Sequence, residues 1–533
     1  MKYQPCRDFD IPLTDAAAMA SPQWRHWRAS DIVEWAQLFD KGALVQVQRH
    51  AVRGKTLPVK IVRNIKRTKQ GLILKYKSRV VAKGFRQRPG IDYDQTYAPV
   101  TSMHTLRSLI SAAVARDMYL FQFDVEGAFL LADIDVEIWI EFNGFCFKLY
   151  KSLYGLKQAS RVWNKELHNE LLVLGCIQSK ADPCLYTRKT KEGWLYMCIW
   201  VDDVVGAATT KRLHGDFMAD FRFPISDGGA FDFCLKIKIE QFNGMVALSQ
   251  PGYITDMAHK FNVHDANPKY TPMEAHAKFN KTQCPQPDSD EHKDMASIPY
   301  RELLGCLNYA AGIRGDIAFS VSVLARFANN PARVHWKALK RVAIYLKTTR
   351  ERSLVFGRNK HSADPRNPIE VYVDADHGGC MDTHRSTSGT IICVFGDTTT
   401  TQAKRQTRVS NSTGAAELFA IAKVTRKITN YRVILEDLGF YQRTVTINTD
   451  SRVAIDLIKR GYMSAASKHL MRDFHEVKEA VDSGLVRLQH VPGVDNPSDV
   501  LTKALDRKTH EKHTNFILND KGAVDYKRVL ISS

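Results

Sequence analysis

The feature that most constrains this chain is a pair of adjacent carboxylates, Asp202-Asp203, inside the apolar run LYMCIWVDDVVGAAT. Like charges repel and ionised groups resist leaving water, so neighbouring acids are costly in so hydrophobic a segment. A β-hairpin with the pair at its turn, facing a cleft, would relieve this cost, and a divalent cation there could neutralise both charges. The alternative is an ordinary solvated turn, since Asp is common in turns. The choice between them depends on the rest of the chain.

Length and charge narrow the class of protein. The 533 residues are too many for one hydrophobic core, which predicts several domains. The formal net charge of +19 indicates a polyanionic partner, most simply nucleic acid. A cationic membrane-surface protein is the rival, but we find neither a basic amphipathic helix nor a lipidation signal. No stretch approaches the ~18 apolar residues of a membrane helix, so we expect no membrane partner.

Cysteine usage and the start of the chain bear on its compartment. The ten cysteines are scattered without a C-x-x-C pair, which disfavours disulfide frameworks and zinc knuckles. Reduced thiols fit a cytoplasmic or nuclear location. The start, MKYQPCRDFD, lacks the apolar core of a secretory signal, so we expect a protein that is not secreted.

A long basic segment precedes the acidic pair. From Lys41 to Ile91 there is no acidic residue, and fourteen further lysines and arginines follow Lys41. In LILKYKSRVVAKGF these bases alternate with apolar residues, which predicts strands with one basic face. Because solvated surfaces normally mix charges of both signs, we interpret this face as one that meets phosphates.

Asp124 completes a first group of acids. It ends an apolar strand, in Phe123-Asp124-Val125-Glu126-Gly127-Ala128-Phe129, where a lone acid would be a turn or cap residue. Together with the Asp202-Asp203 hairpin it gives three carboxylates from two strand ends. Such a set can hold two divalent ions about 3.5–4 Å apart, which activate an attacking hydroxyl and stabilise the leaving oxygen of a phosphoryl transfer. Magnesium suits these oxygen ligands.

Four further acids form a second group. Asp374 ends the strand VYVD, Glu417 lies on a helix predicted over 413–437, Asp450 ends the strand INTD, and Asp499 lies near a helix start. Taken singly, they read as turn, cap or solvated-helix residues. In strand–helix–strand–helix order, they predict a mixed α/β domain with its own acidic site.

These pieces, in this order, resemble the reverse transcriptase and ribonuclease H of copia-type LTR retrotransposons. Each motif is moderately specific and the ordered set is highly specific, over residues from about 40 to 506. The matching segments are YKSRVVAKGFRQRPGIDYDQTYAPV for the fingers, FQFDVEGAFL for the first catalytic motif, KSLYGLKQASRVWNKEL for nucleotide binding, WVDD for the family's Y-V-D-D, residues 300–349 for the connection, and VYVDADHGGCMDTHRSTSGT with the stretch ending NPSDVLTKAL for the ribonuclease H.

The resemblance implies roles for these residues. Two Mg²⁺ ions (Mn²⁺ also fits) would be held in each of two sites, by Asp124, Asp202 and Asp203 in the polymerase and by Asp374, Glu417, Asp450 and Asp499 in the ribonuclease. Residues that would bind nucleotide are Lys77, Arg79, Phe129, Tyr154, Gly155, Lys157 and Gln158. Lys77 and Arg79 would grip the triphosphate, because both suit phosphate oxygens. Phe129 would clash with a 2′-hydroxyl, although a core aromatic is the alternative.

The implied architecture is an α+β and α/β multidomain chain, a right-hand polymerase followed by a connection segment and a ribonuclease H-like domain. The expected domains are an N-terminal extension at 1–40, fingers and palm at 41–250, thumb or connection at 251–365, the ribonuclease H-like domain at 366–506 and a tail at 507–533. The expected function is RNA-directed DNA synthesis with ribonuclease H activity, copying retrotransposon RNA into DNA. The implied partners are an RNA template, a DNA primer, their hybrid and deoxynucleoside triphosphates, in a cytoplasmic virus-like particle and/or the nucleus.

Some positions depart from the family pattern and keep two other hypotheses open. Trp200 replaces the usual Tyr before V-D-D, Ser160 and Gly315 replace prolines, and Lys236 stands where a Gly is usual. These departures favour a catalytically decayed relic that folds and binds nucleic acid without activity. Retention of all seven carboxylates favours an active enzyme, because mutations that accumulate after loss of activity would not preserve them selectively. A basic nucleic-acid chaperone explains the charge but not the ordered acids.

Overall fold

The computed structural model of the chain describes residues 11–67, 73–358, 366–462 and 470–520. Its helices are α1 Asp15–Ala20, α2 Trp24–Asp40, α3 Met103–Ala115, α4 Ala159–Val173, α5 Lys211–Asp220, α6 Pro251–Lys260, α7 Asp290–Ala296, α8 Tyr300–Ala310, α9 Ala318–Leu324, α10 Arg333–Thr348, α11 Thr413–Asp437, α12 Arg452–Arg460, α13 Met471–Asp482 and α14 Arg507–Leu518. Within those ranges, none of the helices combines the length and apolarity needed to cross a bilayer.

The strands are β1 Leu44–Val47, β2 Thr56–Arg67, β3 Ile73–Ala82, β4 Tyr119–Val125, β5 Asp133–Phe142, β6 Phe145–Lys151, β7 Ile177–Gln178, β8 Leu185–Thr190, β9 Gly193–Trp200, β10 Asp203–Ala208, β11 Ile225–Ala230, β12 Phe233–Cys234, β13 Ile237–Phe242, β14 Met245–Ser249, β15 Leu354–Phe356, β16 Ile369–Ala375, β17 Arg385–Val394, β18 Asp397–Val409, β19 Val445–Thr449 and β20 Val486–His490. In the described parts of the chain they form four sheets.

The fingers sheet has the strand order β1-β6-β5-β2-β3, and β2 and β3 form a long antiparallel hairpin. Along β3 the side chains of Ser78, Val80 and Ala82 are buried, while Lys77 and Arg79 between them are partly exposed. The predicted strands are confirmed, and on β3 the bases lie on the partly exposed face, whereas Arg63 on β2 is buried in an ion pair with Asp31. Helix α2 packs against this sheet, so the described part of the expected extension at 1–40 belongs to the fingers lobe.

The palm sheet has the order β11-β4-β10-β9-β8-β7, with β9 and β10 joined as the predicted hairpin. The apolar side chains of β4 alternate between its two faces, since Phe121 and Phe123 pack with helix α4 and Leu120 packs with helix α3. A sheet covered by helices on both faces is rigid, and its strand ends can position side chains in a fixed relation.

A helical segment separates two strands of a third sheet, in which β14 pairs with β15 across an insertion of more than a hundred residues. Helices α6, α8, α9 and α10 pack around Leu303, Leu307 and Leu339. The sequence predicted a linker or long loop at 264–299, but the structure places the short helix α7 inside it. Ser289 caps that helix by accepting a hydrogen bond from the His292 backbone at 3.2 Å.

The C-terminal lobe contains a mixed sheet of order β18-β17-β16-β19-β20, in which β16, β19 and β20 are parallel. Helix α11 crosses this sheet and has the bounds that the sequence predicted, 413–437. The described part of the tail at 507–533 is also folded, because Ile517 and Leu518 of α14 are buried in the core of this lobe. At the other end of α14, His510 Nε2 lies 3.4 Å from the Asp316 carbonyl oxygen of the helical segment.

The palm and the C-terminal lobe share one hydrophobic core. Leu109 and Ile110 of α3 lie in the same buried cluster as Val394 and Ile421 of the C-terminal lobe. The guanidinium of Arg107, also on α3, donates to the Thr399 carbonyl at 3.0 Å. We therefore expect the palm and the C-terminal lobe to unfold together, because separating them would expose apolar surface on both.

Asp397, buried where these two lobes meet, gives a pH-dependent prediction. Its carboxylate accepts hydrogen bonds from Ser111 Oγ at 2.7 Å and Gly357 N at 2.8 Å, and burial raises its pKa to about 7. An unfolded Asp titrates near pH ~3.9, so the native state binds the extra proton between about pH 4 and 7. The free energy of unfolding therefore falls as pH rises through that window, by roughly 1 kcal/mol per pH unit.

Asp397→Asn removes this titration and keeps the shape of the side chain. We expect its thermal midpoint to exceed that of the wild type at pH 8, and the advantage to shrink steadily toward pH 5. Thermal unfolding across this range measures the difference, and a gap between the two proteins that does not change with pH contradicts the prediction.

Candidate active sites

The first acidic group forms where the β9–β10 turn meets the end of β4. Asp203 lies opposite Asp124 in the antiparallel pairing of β10 with β4. The Asp202 carbonyl accepts a hydrogen bond from the Val125 backbone at 3.0 Å, which ties the turn to the residue after Asp124. The structure thus brings the three acids of the first group to one end of the palm sheet.

The turn itself has an unusual backbone. Val201 has φ +63°, a left-handed conformation that β-branched residues rarely adopt. A hairpin turn of only two residues, here Val201 and Asp202, requires positive φ to match the twist of its strands. The Val201 carbonyl accepts a hydrogen bond from Trp163 Nε1 of α4 at 2.7 Å. The chain therefore holds a strained turn in place, as is common where side chains must be positioned for chemistry.

The acids of this group raise one another's pKa by mutual repulsion. Burial, followed by the charges of Asp202 and Asp203, raises the pKa of Asp124 to about 6, although Lys77 and Lys66 oppose the shift. Loss of hydration and the charge of Asp202 also raise the pKa of Asp203. Carboxylates held together against this repulsion favour a cation between them.

Several predicted nucleotide-binding residues face these acids. Lys77 on β3 is close enough to Asp124 for their charges to interact, although burial and neighbouring Arg79 lower the pKa of Lys77. The Arg79 guanidinium lies 5.1 Å from the centroid of the Tyr154 ring, and Tyr154 meets Phe129 edge to face at 4.9 Å. The two bases, the two rings and the first acidic group thus line one region between the fingers and the palm.

Gly155 makes a close approach possible between strand β3 and the loop that follows β6. Its φ is +86°, and a Cβ there would lie 2.3 Å from the Ala82 carbonyl oxygen at the end of β3. The Tyr154 carbonyl accepts a hydrogen bond from the Ala82 backbone at 2.8 Å. Only glycine fits this backbone conformation and this spacing, so Gly155 acts by packing rather than by a side-chain contact.

The side chain of Gln158 is buried, whereas that of its neighbour Lys157 is exposed. Gln158 is 1% exposed; its Oε1 accepts from Gln87 Nε2, and its Nε2 donates to the Asp92 carbonyl, both at 3.0 Å. Its amide therefore bonds the loop after β3, and the nucleotide contact expected of Gln158 stays a prediction. Lys157 has an exposed side chain, and its backbone donates to Gln87 Oε1 at 2.7 Å.

The second acidic group is more compact. Because β16 and β19 are parallel, Asp374 and Asp450 emerge at the same edge of the sheet. Asp499 joins them from a short 3-10 helix, and one carboxylate oxygen from each lies within 4.8 Å of the others. Over the described ranges, Asp124, Asp202 and Asp203 do not meet that spacing.

Glu417 completes this group from helix α11. Its Oε1 accepts a hydrogen bond from the Ala375 backbone at 3.0 Å, while its Oε2 is buried and finds no hydrogen-bond partner among the described residues. Burial and the charges of Asp374 and Asp450 raise the pKa of Glu417 to about 9. A buried acceptor without a partner is costly, and a divalent cation would satisfy it. The oxygen donors present therefore fit Mg²⁺ or a similar ion.

Lys503 is a member of the second site that sequence reasoning missed. Its Nζ lies 2.8 Å from Asp499 Oδ1 and 3.6 Å from Asp374 Oδ2. It partly offsets the burial that raises the pKa of Asp374 to about 6, and the Thr502 hydroxyl donates to that same carboxylate. The signal in the sequence was the four-residue spacing from Asp499 to Lys503, which places the two side chains together on a helical turn.

Comparison with known proteins places this geometry in a family. Residues 44–275 match the family model described as reverse transcriptase (RNA-dependent DNA polymerase). The chain is 33% identical to the Pol polyprotein of transposon TNT 1-94 from Nicotiana tabacum, over 85% of the chain and 35% of that protein. It is 30% identical to that of transposon RE1 from Arabidopsis thaliana, over 84% of the chain and 30% of that protein. The chain thus spans about a third of these relatives.

A shorter relative and a solved structure complete the comparison. A putative transposon Ty5-1 protein of Saccharomyces cerevisiae is 30% identical, over 53% of this chain and 92% of its own length. The foamy viral protease-reverse transcriptase dRH, solved in complex with double-stranded DNA, superposes with a TM-score of 0.50 at 13% identity, over 87% of this chain and 69% of that one. This likeness confirms the predicted fold class. The chain belongs to the copia-type, retrovirus-related Pol polyproteins and includes their reverse transcriptase region.

Proposed function

We propose that this chain is an RNA-directed DNA polymerase with ribonuclease H activity, and that both reactions depend on divalent cations. The observation that carries the proposal is the presence of two separate acidic groups in one chain of this family. One lies at the β9–β10 turn of the palm, and the other at the parallel edge of the C-terminal sheet. A nucleic-acid chaperone only binds nucleic acid, which does not require clustered carboxylates.

In the polymerase site, each set of side chains has a distinct task. Asp124, Asp202 and Asp203 would hold Mg²⁺, or Mn²⁺, which when bound supplies charge neutralisation at the phosphoryl oxygens and an activated hydroxyl. Lys77 contributes a point charge toward the triphosphate, and Arg79 contributes a planar fork. Tyr154 orients that fork by stacking against the guanidinium.

In the ribonuclease site, Asp374, Glu417, Asp450 and Asp499 would hold the corresponding cations. Lys503 restrains Asp499 and Asp374 through its ammonium group, so that the carboxylates keep their places despite their repulsion. The substrate class is the RNA strand of an RNA–DNA hybrid. The net charge of +19 and the basic face of β3 support nucleic acids as partners, with an RNA template and a DNA primer in the polymerase.

One observation favours the decayed relic as a second candidate. Leu235 and Lys236 both have positive φ, at +50° and +57°, in the turn where the family usually has a glycine. Two consecutive side-chain-bearing residues in this region strain the turn between β12 and β13. If this turn positions the primer end at the acids rather than supplying affinity, the chain would bind hybrids without extending them.

Primer extension separates the two candidates. Purified protein is given an RNA template annealed to a DNA primer, deoxynucleoside triphosphates and Mg²⁺. The proposal predicts extension that a chelator abolishes and added Mg²⁺ restores. Tight hybrid binding without any extension or cleavage would favour the relic and contradict the proposal.

Phe129 gives a prediction about sugar selection. Its ring packs against Tyr154 beside the first acidic group, where an aromatic would exclude a 2′-hydroxyl. We expect Phe129→Ala to reduce discrimination against ribonucleotides by on the order of tenfold to a hundredfold. Single-nucleotide incorporation with matched deoxy- and ribonucleotides measures this ratio. Phe145→Ala, at an exposed Phe of β6, is the matched control. An unchanged ratio with lowered thermal stability would make Phe129 a core aromatic instead.

A further inference from the structure

Helix α2 and Lys41 lie before the region that matches the reverse transcriptase model. We propose that residues 24–41, here called the α2 brace, hold strand β3 at a fixed position relative to the loop after Asp124 and thereby set the affinity for the incoming deoxynucleotide. The proposal rests on the polymerase function proposed above. It assigns positioning residues, since none of the brace residues discussed below need touch the nucleotide.

The brace occupies the open edge of the fingers sheet. Strand β3 is an edge strand, whose outward backbone groups need partners. Helix α2 supplies them, because Glu34 Oε1 accepts from the Val80 backbone at 3.0 Å and Ser30 Oγ donates to the Tyr76 carbonyl at 3.2 Å. Side chains of a helix thus take the place of a neighbouring strand.

A buried ion pair fastens the same helix to both strands of the hairpin. Asp31 accepts from Arg63 on β2, through Nε at 3.2 Å and a terminal nitrogen at 2.6 Å. It also accepts from the Ser78 hydroxyl on β3 at 2.5 Å. Such a paired and hydrogen-bonded charge fixes one geometry, because removing any partner leaves a buried group unsatisfied.

These contacts fall on the residues that alternate with the predicted triphosphate-binding bases. Ser78 and Val80, which contact the brace, are separated by Arg79, and Lys77 precedes them. Because strand side chains alternate between faces, Ser78 and Val80 lie on the buried face of β3, while Lys77 and Arg79 lie on its partly exposed face. Glu34 of the brace bonds the Val80 backbone and is near enough to both bases for their charges to interact. Any movement of the helix relative to the palm would carry these two bases with it.

The far end of the brace reaches the palm. Lys41 Nζ donates to the Glu126 carbonyl at 3.0 Å, two residues beyond Asp124. The next residue, Gly127, has φ +66°, and a Cβ there would lie 2.7 Å from Lys41 Nζ and 3.1 Å from Gln37 Nε2. The loop backbone therefore rests directly on the brace. One helix thus links the strand that carries the bases to the loop that follows the catalytic acid.

Steady-state extension on a fixed primer–template tests the brace. Glu34→Ala and Lys41→Met are each expected to raise the KM for deoxynucleotide by about tenfold, with kcat changed by less than about threefold. Glu34→Gln keeps an acceptor for the Val80 backbone and is expected to restore a KM near that of the wild type. Affinity for the primer–template and cleavage of hybrid RNA should not change. Lys191→Met, at an exposed lysine between β8 and β9, is the control.

The outcomes separate this proposal from the one on which it rests. If the wild type extends and both variants keep its KM, or lose kcat at an unchanged KM, the brace is contradicted while the polymerase stands. If Glu34→Ala fails to fold, as shown by loss of hybrid cleavage, Lys41→Met decides alone. If no protein extends under any condition, the proposed polymerase fails and the brace fails with it.

Discussion

Asp202→Asn is expected to abolish primer extension and to leave cleavage of hybrid RNA at its normal rate. Asp202 lies in the two-residue turn whose backbone is held by Trp163 and Val125. Asn keeps the shape of the side chain and removes one of the charges that would hold the cation. Metal stabilisation of a phosphoryl transfer is worth several kcal/mol, so the loss should reach on the order of a thousandfold.

Single-turnover nucleotide addition in Mg²⁺ measures this loss directly. Asp220→Asn, at an exposed acid where α5 ends in the same lobe, should extend like the wild type. Equal extension rates for Asp202→Asn and the wild type would show that the β9–β10 turn is only a solvated turn. A parallel loss of hybrid cleavage would indicate damage to the fold rather than to one site.

Asp450→Asn is expected to abolish cleavage of hybrid RNA and to leave primer extension at its normal rate. Asp450 shares its site with Asp374 and Asp499 within 4.8 Å, and with Glu417, whose buried Oε2 lacks a partner among the described residues. Removing one carboxylate from such a group also removes repulsion. We therefore expect the inactive variant to be more stable than the wild type when both are free of metal. The close acids that would bind a cation destabilise the fold when no cation is present.

Cleavage of a labelled RNA strand in a hybrid, followed at saturating enzyme, measures the activity, and thermal unfolding in chelator measures the stability. Asp456→Asn, at an exposed acid of helix α12 in the same lobe, is the matched control and should leave both unchanged. Cleavage by Asp450→Asn at the wild-type rate would show that the ribonuclease reaction does not need this carboxylate.

Helices and turns could be predicted where residues close together in the sequence mark them. Helix α11 has Ser412 as an N-cap, whose hydroxyl accepts from the Ala415 backbone at 3.2 Å, and its bounds matched the prediction. The β9–β10 turn followed from two acids in an apolar run. Both signals depend on residues close together in the chain, so neither required knowledge of tertiary packing.

The α2 brace escaped prediction for a physical reason. The side of α2 that faces the sheet includes the acids Asp31 and Glu34, which are satisfied by Arg63 and the edge of β3. A helix that buries charged residues has no apolar stripe, so its sequence looks like that of a solvated helix. In the same helix Trp27 is fully buried and Trp24, three residues earlier, is exposed, so residue type alone does not identify the buried side.

Gln158 shows what a family motif leaves out, namely the hydrogen bonds that a side chain makes within the folded chain. The motif predicted a nucleotide contact, but the amide of Gln158 bonds Gln87 and the Asp92 carbonyl. These two hydrogen bonds show only in the folded chain, and the nucleotide contact stays a prediction. Lys503 is the opposite case, because its spacing from Asp499 was visible in the sequence and its proximity to Asp374 was not.

Anomalous diffraction from crystals soaked in Mn²⁺ tests the central claim most directly, namely that seven acids form two separate cation sites in one chain. We predict manganese peaks both at the β9–β10 turn, among Asp124, Asp202 and Asp203, and at the edge of the C-terminal sheet, among Asp374, Glu417, Asp450 and Asp499. Manganese at the second site with none at the turn, at ion concentrations that fill the second site, would contradict the account.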